Sequence, residues 1–496
     1  MQNQVLIGAS GDLQIAMDAS MANRHGLISG ATGTGKTVTL QLLAEGFSRI
    51  GVPVFVTDIK GDLAGLSQAG KPHAKIEERV QKIAIKGYQQ RANPTVLWDV
   101  FKQQGLPLRV TLSDMGPLLL SSLLELNETQ SGILYACFDL ADDEGMLLLD
   151  LKDLNAMLGW MTENAAELRS EYGNISPASV AAIKRKLLVL EEQGADQFFG
   201  EPALNLSDIL IRDFSGYGLI NILDATRLSS HSPRVYGAFL LWFLSELYEN
   251  LPEVGDAERP QLVCFFDEAH LLFDLGSSAL MDKVEQVVRL IRSRGVGIYF
   301  VTQSPLDIPE AILGQLGLRV QHALRAFTPK DKKAVNTVAE TFRPNPKLDI
   351  RQEIGLLGVG EALVSYLQAD GSPSVVEKTL LCPPESQIGA IDQQLRKELI
   401  ERSPLYGRYA QDLDRESAFE LLRKRADEKQ LQQQQIDLQQ EQERQRLAAE
   451  KAQQKRRRGR SRQSFAEALV KSTLRSVGSS LGRRIVRGLL GSLLGK

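Results

Sequence analysis

The chain has 496 residues, 43% of them hydrophobic, which is enough for one large α/β domain with an insertion or for two domains and excludes a short segment that folds only on a partner. The formal charge of −3 divides into an acidic body, with 45 basic and 60 acidic residues up to position 450, and a basic end, with 13 basic residues and one acidic residue from Lys451 onward. The three cysteines are isolated and lack the spacing of a zinc site or a disulfide framework, which suits a reducing compartment. No uninterrupted apolar stretch reaches about 18 residues, the length that a membrane-spanning helix needs. We therefore expect a cytoplasmic protein that is at most peripheral at the inner membrane.

The first predicted unit is a strand, a glycine-rich loop and a helix. The apolar run GLISG leads into GATGTGKT at residues 30–37, and the segment VTLQLLAEGFSRIG that follows carries apolar residues at helical spacing. The loop fits the Walker A pattern G-x4-G-K-[ST] in full, and chance alone would give roughly 0.02 such matches in a chain of this length. A phosphate-binding loop is therefore favoured over a coincidental glycine turn.

The residues of this loop have predicted roles in binding ATP and Mg²⁺. Glycines let consecutive N–H groups point at one phosphate, and the following helix adds the positive end of its dipole. Lys36 would reach the β- and γ-phosphates, and the Thr37 hydroxyl would ligate magnesium. The predicted nucleotide-binding residues are Gly30, Ala31, Thr32, Gly33, Thr34, Gly35, Lys36, Thr37 and Val38.

The rest of the chain up to residue 384 alternates between strand and helix patterns. VPVFVTDIKGD supplies a second strand, which completes a βαβ unit and implies a parallel sheet. Residues 66–213 are interpreted as a mainly helical insertion stacked on that sheet. Strands resume at 218–225, 262–269 and 297–304, so we predict a doubly wound α/β core formed by residues 1–65 and 214–384.

Three polar side chains follow two of these buried strands. Asp267 emerges at the end of LVCFF, where a P-loop protein needs a carboxylate to complete its magnesium site. Glu268 is placed to polarise the attacking water, although an acidic pair here could also cap the next helix. Gln303 ends the strand GIYFVT, at the edge of a parallel sheet where ligands sit, and could orient water and sense the γ-phosphate, unless it is an ordinary loop residue.

Two arginines lie between those two strands, in the segment RLIRSRGVG. Arg292 and Arg294 could be the solvated end of a helix, where positive charge is favourable. They could equally reach the γ-phosphate of a neighbouring subunit as an arginine finger. The local sequence does not decide between these two interpretations.

Beyond residue 384 the composition changes. Residues 385–463 are rich in Gln, Glu and Arg and are predicted to form a solvated helix or a linker. Residues 464–496 place apolar residues at three- and four-residue spacings between arginines, which predicts a basic amphipathic helix. Such a helix could lie on a membrane surface or contact a protein. The basic segment KRRRGRSR before it could steer nucleic acid or an anionic membrane surface, unless it is an ordinary solubilising linker.

The letters DEAH in QLVCFFDEAHLLF name a helicase family, but their surroundings do not fit it. A Ser-Ala-Thr motif does not follow, and no second RecA-like array is recognisable, so His270 receives no chemical role. HGLISGATGTGKT, VFVTDIKGD, LVCFFDEAH and SRGVGIYFVTQSP together resemble the HerA/FtsK superfamily of P-loop ATPases, and more closely a bacterial HerA-like helicase-domain family. The resemblance covers roughly residues 5–385 and includes PLRVTLSDMGPLLLSSLLELNETQ in the insertion.

The resemblance implies a RecA-like ASCE fold with a C-terminal helical or disordered tail, a homo-hexameric ring and ATP-driven translocation along DNA. Lys36, Thr37, Asp267, Glu268 and Gln303 match the motif positions of the family directly, and Arg292 best matches its arginine finger in trans, with Arg294 as the reserve. The sequence departs from the family in having no recognisable N-terminal barrel domain. An ATP-switched ATPase that remodels proteins or assembles at a membrane, without acting on nucleic acid, is the alternative function. Substrate, polarity and ring size stay open.

Overall fold

A computed structural model describes residues 3–255, 257–273, 278–325 and 328–458. Their main feature is one sheet with the strand order β2-β1-β12-β11-β10-β3-β9-β8-β4-β7-β5-β6. The twelve strands are β1 (Gln4–Ser10), β2 (Leu13–Asp18), β3 (Gly26–Ser29), β4 (Val54–Asp58), β5 (Thr95–Asp99), β6 (Leu106–Pro107), β7 (Ile220–Asp224), β8 (Leu262–Phe266), β9 (Val296–Thr302), β10 (Leu318–Gln321), β11 (Glu361–Ser365) and β12 (Glu377–Leu381).

The sheet has a parallel part and an antiparallel part. All neighbouring pairs from β10 to β6 in this order are parallel, whereas β11, β12, β1 and β2 continue from β10 with antiparallel pairing. β9 lies between β3 and β8, so the strand that precedes the glycine loop is not adjacent to the one that ends at the acidic pair. The predicted α/β class with a parallel sheet is confirmed.

Helices connect the strands and make up most of the rest of the described chain. The α-helices are α1 (Lys36–Arg49), α2 (Ala74–Ile83), α3 (Leu112–Leu123), α4 (Glu128–Asp143), α5 (Leu151–Glu163), α6 (Ala165–Tyr172), α7 (Pro177–Leu190), α8 (Asp196–Phe198), α9 (Leu206–Ile209), α10 (Thr226–His231), α11 (Pro233–Asn250), α12 (His270–Phe273), α13 (Ser278–Leu290), α14 (Glu310–Leu313), α15 (Pro329–Thr341), α16 (Ile350–Leu356), α17 (Gln393–Glu401), α18 (Tyr406–Tyr409) and α19 (Ala418–Arg458). Among the described residues, no helix is both long and apolar enough to cross a membrane.

Alternating side chains of the central strands form two apolar layers. On β4, Val54 and Val56 pack on the α1 side with Phe47, whereas Phe55 packs on the opposite side, where its ring centroid lies 4.4 Å from that of Phe243 of α11. Every residue of β4, β8 and β9 is buried. Strands covered on both faces read as continuous apolar runs, and their carboxyl ends meet at one edge of the sheet. That edge carries the candidate site.

The segment 66–213, predicted to be a mainly helical insertion, contains two strands besides its helices. Helices α3 to α9 do occupy residues 112–209, and α4 begins with a capping box in which Asn127 and Gln130 bond each other's backbone. However, β5 and β6 also lie in this segment, and β5 pairs in parallel with β7. The strand TVLWD is a short apolar run without period-two alternation, so its sequence did not separate it from a buried helix.

Near its two ends, the described chain contains a β-hairpin and a long helix. Residues 4–18 form the hairpin β1–β2, which was not predicted, and β1 pairs with β12 at the antiparallel side of the sheet. Residues 1–422 make one compact unit and the following residues a second one. In that second unit α19 continues as a helix, exposed from Arg423 to Ala452, which favours the helix over the linker for this stretch. The predicted basic helix at 464–496 lies outside the described residues, and the boundaries of the domains stay predictions.

Candidate active site

The glycine loop connects β3 to α1 at the carboxyl edge of the parallel strands. Gly30 and Gly35 have φ values of +150° and +111°, which side chains rarely adopt, and a Cβ on Gly30 would lie 2.5 Å from the Cβ of His322. Within the described part of the chain, no backbone N–H from Thr32 to Val38 donates a hydrogen bond. These N–H groups are therefore free to bind an anion, and they lie where the dipole of α1 is positive.

Lys36 lies inside this loop. Its side chain is buried, and its Nζ donates to the carbonyl oxygens of Gly30 at 2.6 Å and Ala31 at 3.2 Å. Burial lowers the pKa of Lys36, the nearby Lys60 ammonium lowers it further, and Glu268 and Asp267 oppose the shift. A buried ammonium beside free N–H groups favours binding of an anion with several negative charges.

The acidic pair follows β8, as the sequence predicts. Asp267 and Glu268 are 4% and 8% exposed, and the Asp267 N–H donates to Thr57 Oγ1 at 3.1 Å on the neighbouring strand β4. The Glu268 N–H donates to Asp267 Oδ1 at 3.0 Å, and Glu268 adopts a φ of +47°, which is uncommon for a side chain with a Cβ. Burial raises the pKa of Asp267, which Lys60 counteracts. Backbone strain at this position fits a constraint imposed by function.

Lys60 joins the acidic pair, although the sequence interpretation gave it no role. Its Nζ lies 3.7 Å from Asp267 Oδ2 and 3.5 Å from Glu268 Oε1. The loop that carries it is held by Asp58, whose carboxylate accepts the N–H groups of Lys60, Gly61, Asp62 and Leu63. Because β4 pairs with β8, the end of VFVTDIKGD and the end of LVCFFDEA meet at one edge. The signal for Lys60 was a cation directly after a buried strand.

Gln303 follows β9 and connects the glycine loop to the acidic pair. Its Nε2 lies 3.3 Å from Glu268 Oε1, and its Oε1 accepts from the Thr32 hydroxyl at 3.5 Å. His270 is the first residue of α12, and its Nδ1 lies 3.6 Å from Glu268 Oε2. The structure thus brings the loop, the acidic pair and Gln303 together as a contiguous group.

The residues present also fit a magnesium ion. Mg²⁺ is usually held by one or two protein oxygens together with phosphate oxygens. Asp267 supplies a carboxylate, and Thr37 is half-buried in the first turn of α1, one residue after Lys36. Across the described residues no cluster of three or more His, Cys, Asp or Glu could hold a metal by itself. The donor set is therefore that of an ion shared with a phosphate rather than of a closed metal site.

His322 supports the glycine loop and was not found from the sequence. It follows β10, which pairs with β3, and its Nδ1 lies 3.1 Å from the Thr34 carbonyl oxygen while its Nε2 lies 2.9 Å from Thr39 Oγ1. Burial, with the Lys36 ammonium as a smaller cause, lowers the pKa of His322 to about 4. The imidazole is therefore neutral, donating to Thr34 and accepting from Thr39. No local pattern indicates this role, since it depends on which strand lies beside β3.

The two arginines are not part of this group of residues. Arg292 and Arg294 precede β9, whereas Gln303 follows it, so the arginines lie at the opposite edge of the sheet from the glycine loop. Arg292 is exposed. The guanidinium of Arg294 lies over the Tyr248 ring, 5.2 Å from its centroid, and 3.9 Å from Glu253. Only Arg292 of the two is therefore free of an ion pair or ring contact among the described residues.

A phosphate loop on one strand, an acidic pair on the next strand but one and a polar side chain between them define a P-loop NTPase with a RecA-like sheet. The model of the family described as Helicase HerA-like C-terminal matches residues 3–496, so the chain belongs to this family.

Individual relatives agree with that assignment. The chain is 22% identical over 381 residues to the DNA double-strand break repair helicase HerA of Sulfolobus acidocaldarius. This match covers 72% of the present chain and 65% of that protein. It is 23% identical over 375 residues to the protein of the same name from Saccharolobus solfataricus, covering 73% and 66%. The match thus spans just under two thirds of the length of these curated relatives.

Solved structures show the same fold. The unbound bacterial conjugative coupling protein TrwBΔN70 is similar with a TM-score of 0.50 and 16% identity, over 77% of this chain and 89% of that one. The plasmid coupling protein TrwB in complex with the GTP analogue GDPNP gives a TM-score of 0.50 and 15% identity, over 78% and 91%.

Proposed function

We propose that the protein binds ATP with Mg²⁺ and hydrolyses it. The observation that carries this proposal is a chain of contacts at one edge of the sheet. Gln303 bonds both Thr32 of the glycine loop and Glu268, and Lys60 lies within ion-pair distance of both carboxylates. Lys36 lies in the same glycine loop, with its Nζ on the carbonyl oxygens of Gly30 and Ala31. The free N–H groups of residues 32–38 and Lys36 bind the phosphates, and Asp267 and Thr37 would hold Mg²⁺, which neutralises phosphate charge when bound.

The water that attacks the γ-phosphate is activated by the chain's own carboxylate. Glu268 accepts its proton as general base, because its carboxylate projects from the end of β8 beside the phosphate loop and is held by Lys60 and Gln303. Gln303 bonds both Thr32 of the loop and Glu268, so it can orient the water between them. Lys60 holds both carboxylates in position, because its Nζ lies within ion-pair distance of Asp267 and of Glu268.

Completion of the site requires a second copy of the chain. Arg292 lies at the edge of the sheet opposite its own glycine loop, so it can reach a γ-phosphate only in another subunit. Contacts that join two different surfaces of the same chain generate rings when the rotation closes. We therefore assign Arg292, rather than the engaged Arg294, as the arginine finger of a head-to-tail ring, with a hexamer as the expected size.

The work driven by hydrolysis is translocation along DNA. This part of the proposal is supported by membership of the HerA-like family and by relatives that are named DNA repair helicases. The acidic body of the chain means that phosphate contacts come from a few local basic side chains rather than from overall charge. The alternative of a membrane-associated or protein-remodelling ATPase depends on residues 464–496, which lie outside the described chain, and none of the described contacts favours it.

Hydrolysis of Mg²⁺-ATP by the wild type and by Lys36→Ala tests the proposed chemistry. Lys333→Ala serves as a matched control, because Lys333 is exposed on α15 and takes no part in the site. The wild type and the control should hydrolyse ATP at equal rates, and Lys36→Ala should be inactive. Equal activity of all three proteins would show that the site is not the source of hydrolysis.

A further inference from the structure

A cavity of about 210 Å³ lies beside the first turn of α1, next to the glycine loop. It is lined by Val38 of α1, by Ile76 and Arg79 of α2, by Leu381 at the end of β12 and by Pro384 after that strand. Pockets for whole drug-sized ligands measure about 300–1,000 Å³. This cavity is therefore of the size for one ring system rather than for a complete nucleotide.

The cavity is continuous with the phosphate loop. Gly35 and Val38 belong both to the cavity wall and to the segment whose N–H groups are free. A nucleotide with its phosphates in the loop must place its ribose and base beyond the loop, and the cavity lies directly beside these residues. Its lining is mainly aliphatic, which suits the faces of a planar base.

Arg79 lines the cavity and connects helix α2 to the loop before β11. Its Nη1 and Nη2 donate to the carbonyl oxygens of Gly360 at 3.4 Å and Val359 at 3.2 Å, and the Gly360 N–H donates to Thr34 O at 3.4 Å. Helix α2 is thereby linked through the loop before β11 to the glycine loop itself. A planar guanidinium fixed at a cavity wall can stack on an aromatic ring and attracts it electrostatically.

We propose that this cavity receives the nucleobase, with the Arg79 guanidinium against the ring, and that it discriminates weakly between adenine and guanine. This inference rests on the proposed nucleotide binding. Few side chains in the cavity can read the edge of a base. The Thr39 hydroxyl is bonded to His322, and burial raises the pKa of the Cys382 thiol, which stays neutral. Strong selection between ligands that differ in polar groups requires buried polar partners, and Lys75, the other charged side chain of the lining besides Arg79, is exposed.

Binding of ATP, GTP and inorganic tripolyphosphate, each with Mg²⁺, tests the proposal by titration calorimetry on the full chain. Arg79→Ala removes the cation, Ile76→Trp fills the cavity, and Lys82→Ala is the matched control on the exposed side of α2, where Lys82 pairs only with Glu78 among the described residues. Both cavity variants should bind ATP and GTP about tenfold more weakly than the wild type and should bind tripolyphosphate with unchanged affinity. Wild type should bind ATP and GTP within about tenfold of each other.

Other outcomes separate the two levels of the proposal. Unchanged ATP affinity in both Arg79→Ala and Ile76→Trp, or an equal loss for ATP and tripolyphosphate, would overturn the cavity as the base site. If the wild type binds one of ATP and GTP more than about a hundredfold more tightly than the other, the proposal that the cavity discriminates weakly between purines is wrong. Wild type that binds neither ATP nor tripolyphosphate would instead refute the phosphate site, and with it the proposed function.

Discussion

Replacing Glu268 by glutamine tests the general base with little change in shape. Gln has the size of Glu and keeps an oxygen that can accept from Gln303, whose Nε2 lies 3.3 Å away. The amide is not basic enough to take the proton of the water, and it loses the attraction to Lys60, 3.5 Å from the carboxylate. Loss of a general base costs about 10²–10⁴ in rate, or about 2.7–5.5 kcal/mol of transition-state stabilisation. Affinity for ATP should change by no more than about threefold, because Lys60 is partly exposed and its ion pairs are screened.

The assay is steady-state phosphate release with saturating Mg²⁺-ATP, together with titration of ATP onto each protein. Glu249→Gln is the control, since Glu249 is exposed near the end of α11 and the same change of group occurs far from the site. The control should keep wild-type turnover. A Glu268→Gln variant that retains more than about a tenth of wild-type turnover would refute the assignment of Glu268 as the base.

Three further changes probe the neighbouring features. Lys60→Met should lower kcat more than it raises the KM for ATP, because Lys60 holds the two carboxylates rather than the nucleotide, and an effect on KM alone would contradict that role. The Arg292→Ala and Lys36→Ala proteins should each fail to hydrolyse ATP alone but regain hydrolysis when mixed. In a mixed ring, a subunit with an intact glycine loop can receive Arg292 from its neighbour. No recovery of hydrolysis at any mixing ratio would contradict an arginine finger in trans. His25→Gln should lose less thermal stability than wild type between pH 7 and pH 4.5. Burial lowers the pKa of His25 to about 4, so the unfolded chain binds a proton below pH 6.5 that the folded chain does not, and stability falls by about 2 to 3 kcal/mol as pH drops through this window. Equal losses of midpoint temperature in both proteins would contradict this prediction.

The sequence predicted the parts of the site that follow directly from a single strand. Lys36 belongs to the Walker A pattern that follows β3, and Asp267 and Gln303 come directly after β8 and β9. The rule that carboxyl ends of parallel strands share an edge was sufficient to place them together. Their catalytic roles remain predictions. Arg292 was undecided from the sequence, and its position at the opposite edge now excludes action on its own glycine loop.

What the sequence did not indicate depends on strand order and on distant contacts. His322 meets the glycine loop only because β10 pairs with β3, although the two lie far apart in the chain. Arg79 reaches the loop before β11 from a helix that reads as an ordinary charged surface segment. β5 was hidden in the insertion because a five-residue buried strand has no periodicity of its own. In each case the missing information was the tertiary neighbour.

The most direct test of the central claim is the rate of ATP hydrolysis by the wild type as double-stranded DNA is added, at low and at moderate salt. An ATP-driven motor on DNA predicts that the rate rises with DNA and that the rise weakens with salt, because phosphate contacts release counterions. Lys36→Ala should show no hydrolysis at any DNA concentration. A wild-type rate that is the same with and without DNA at both salt concentrations would contradict the account of the protein as a DNA translocase.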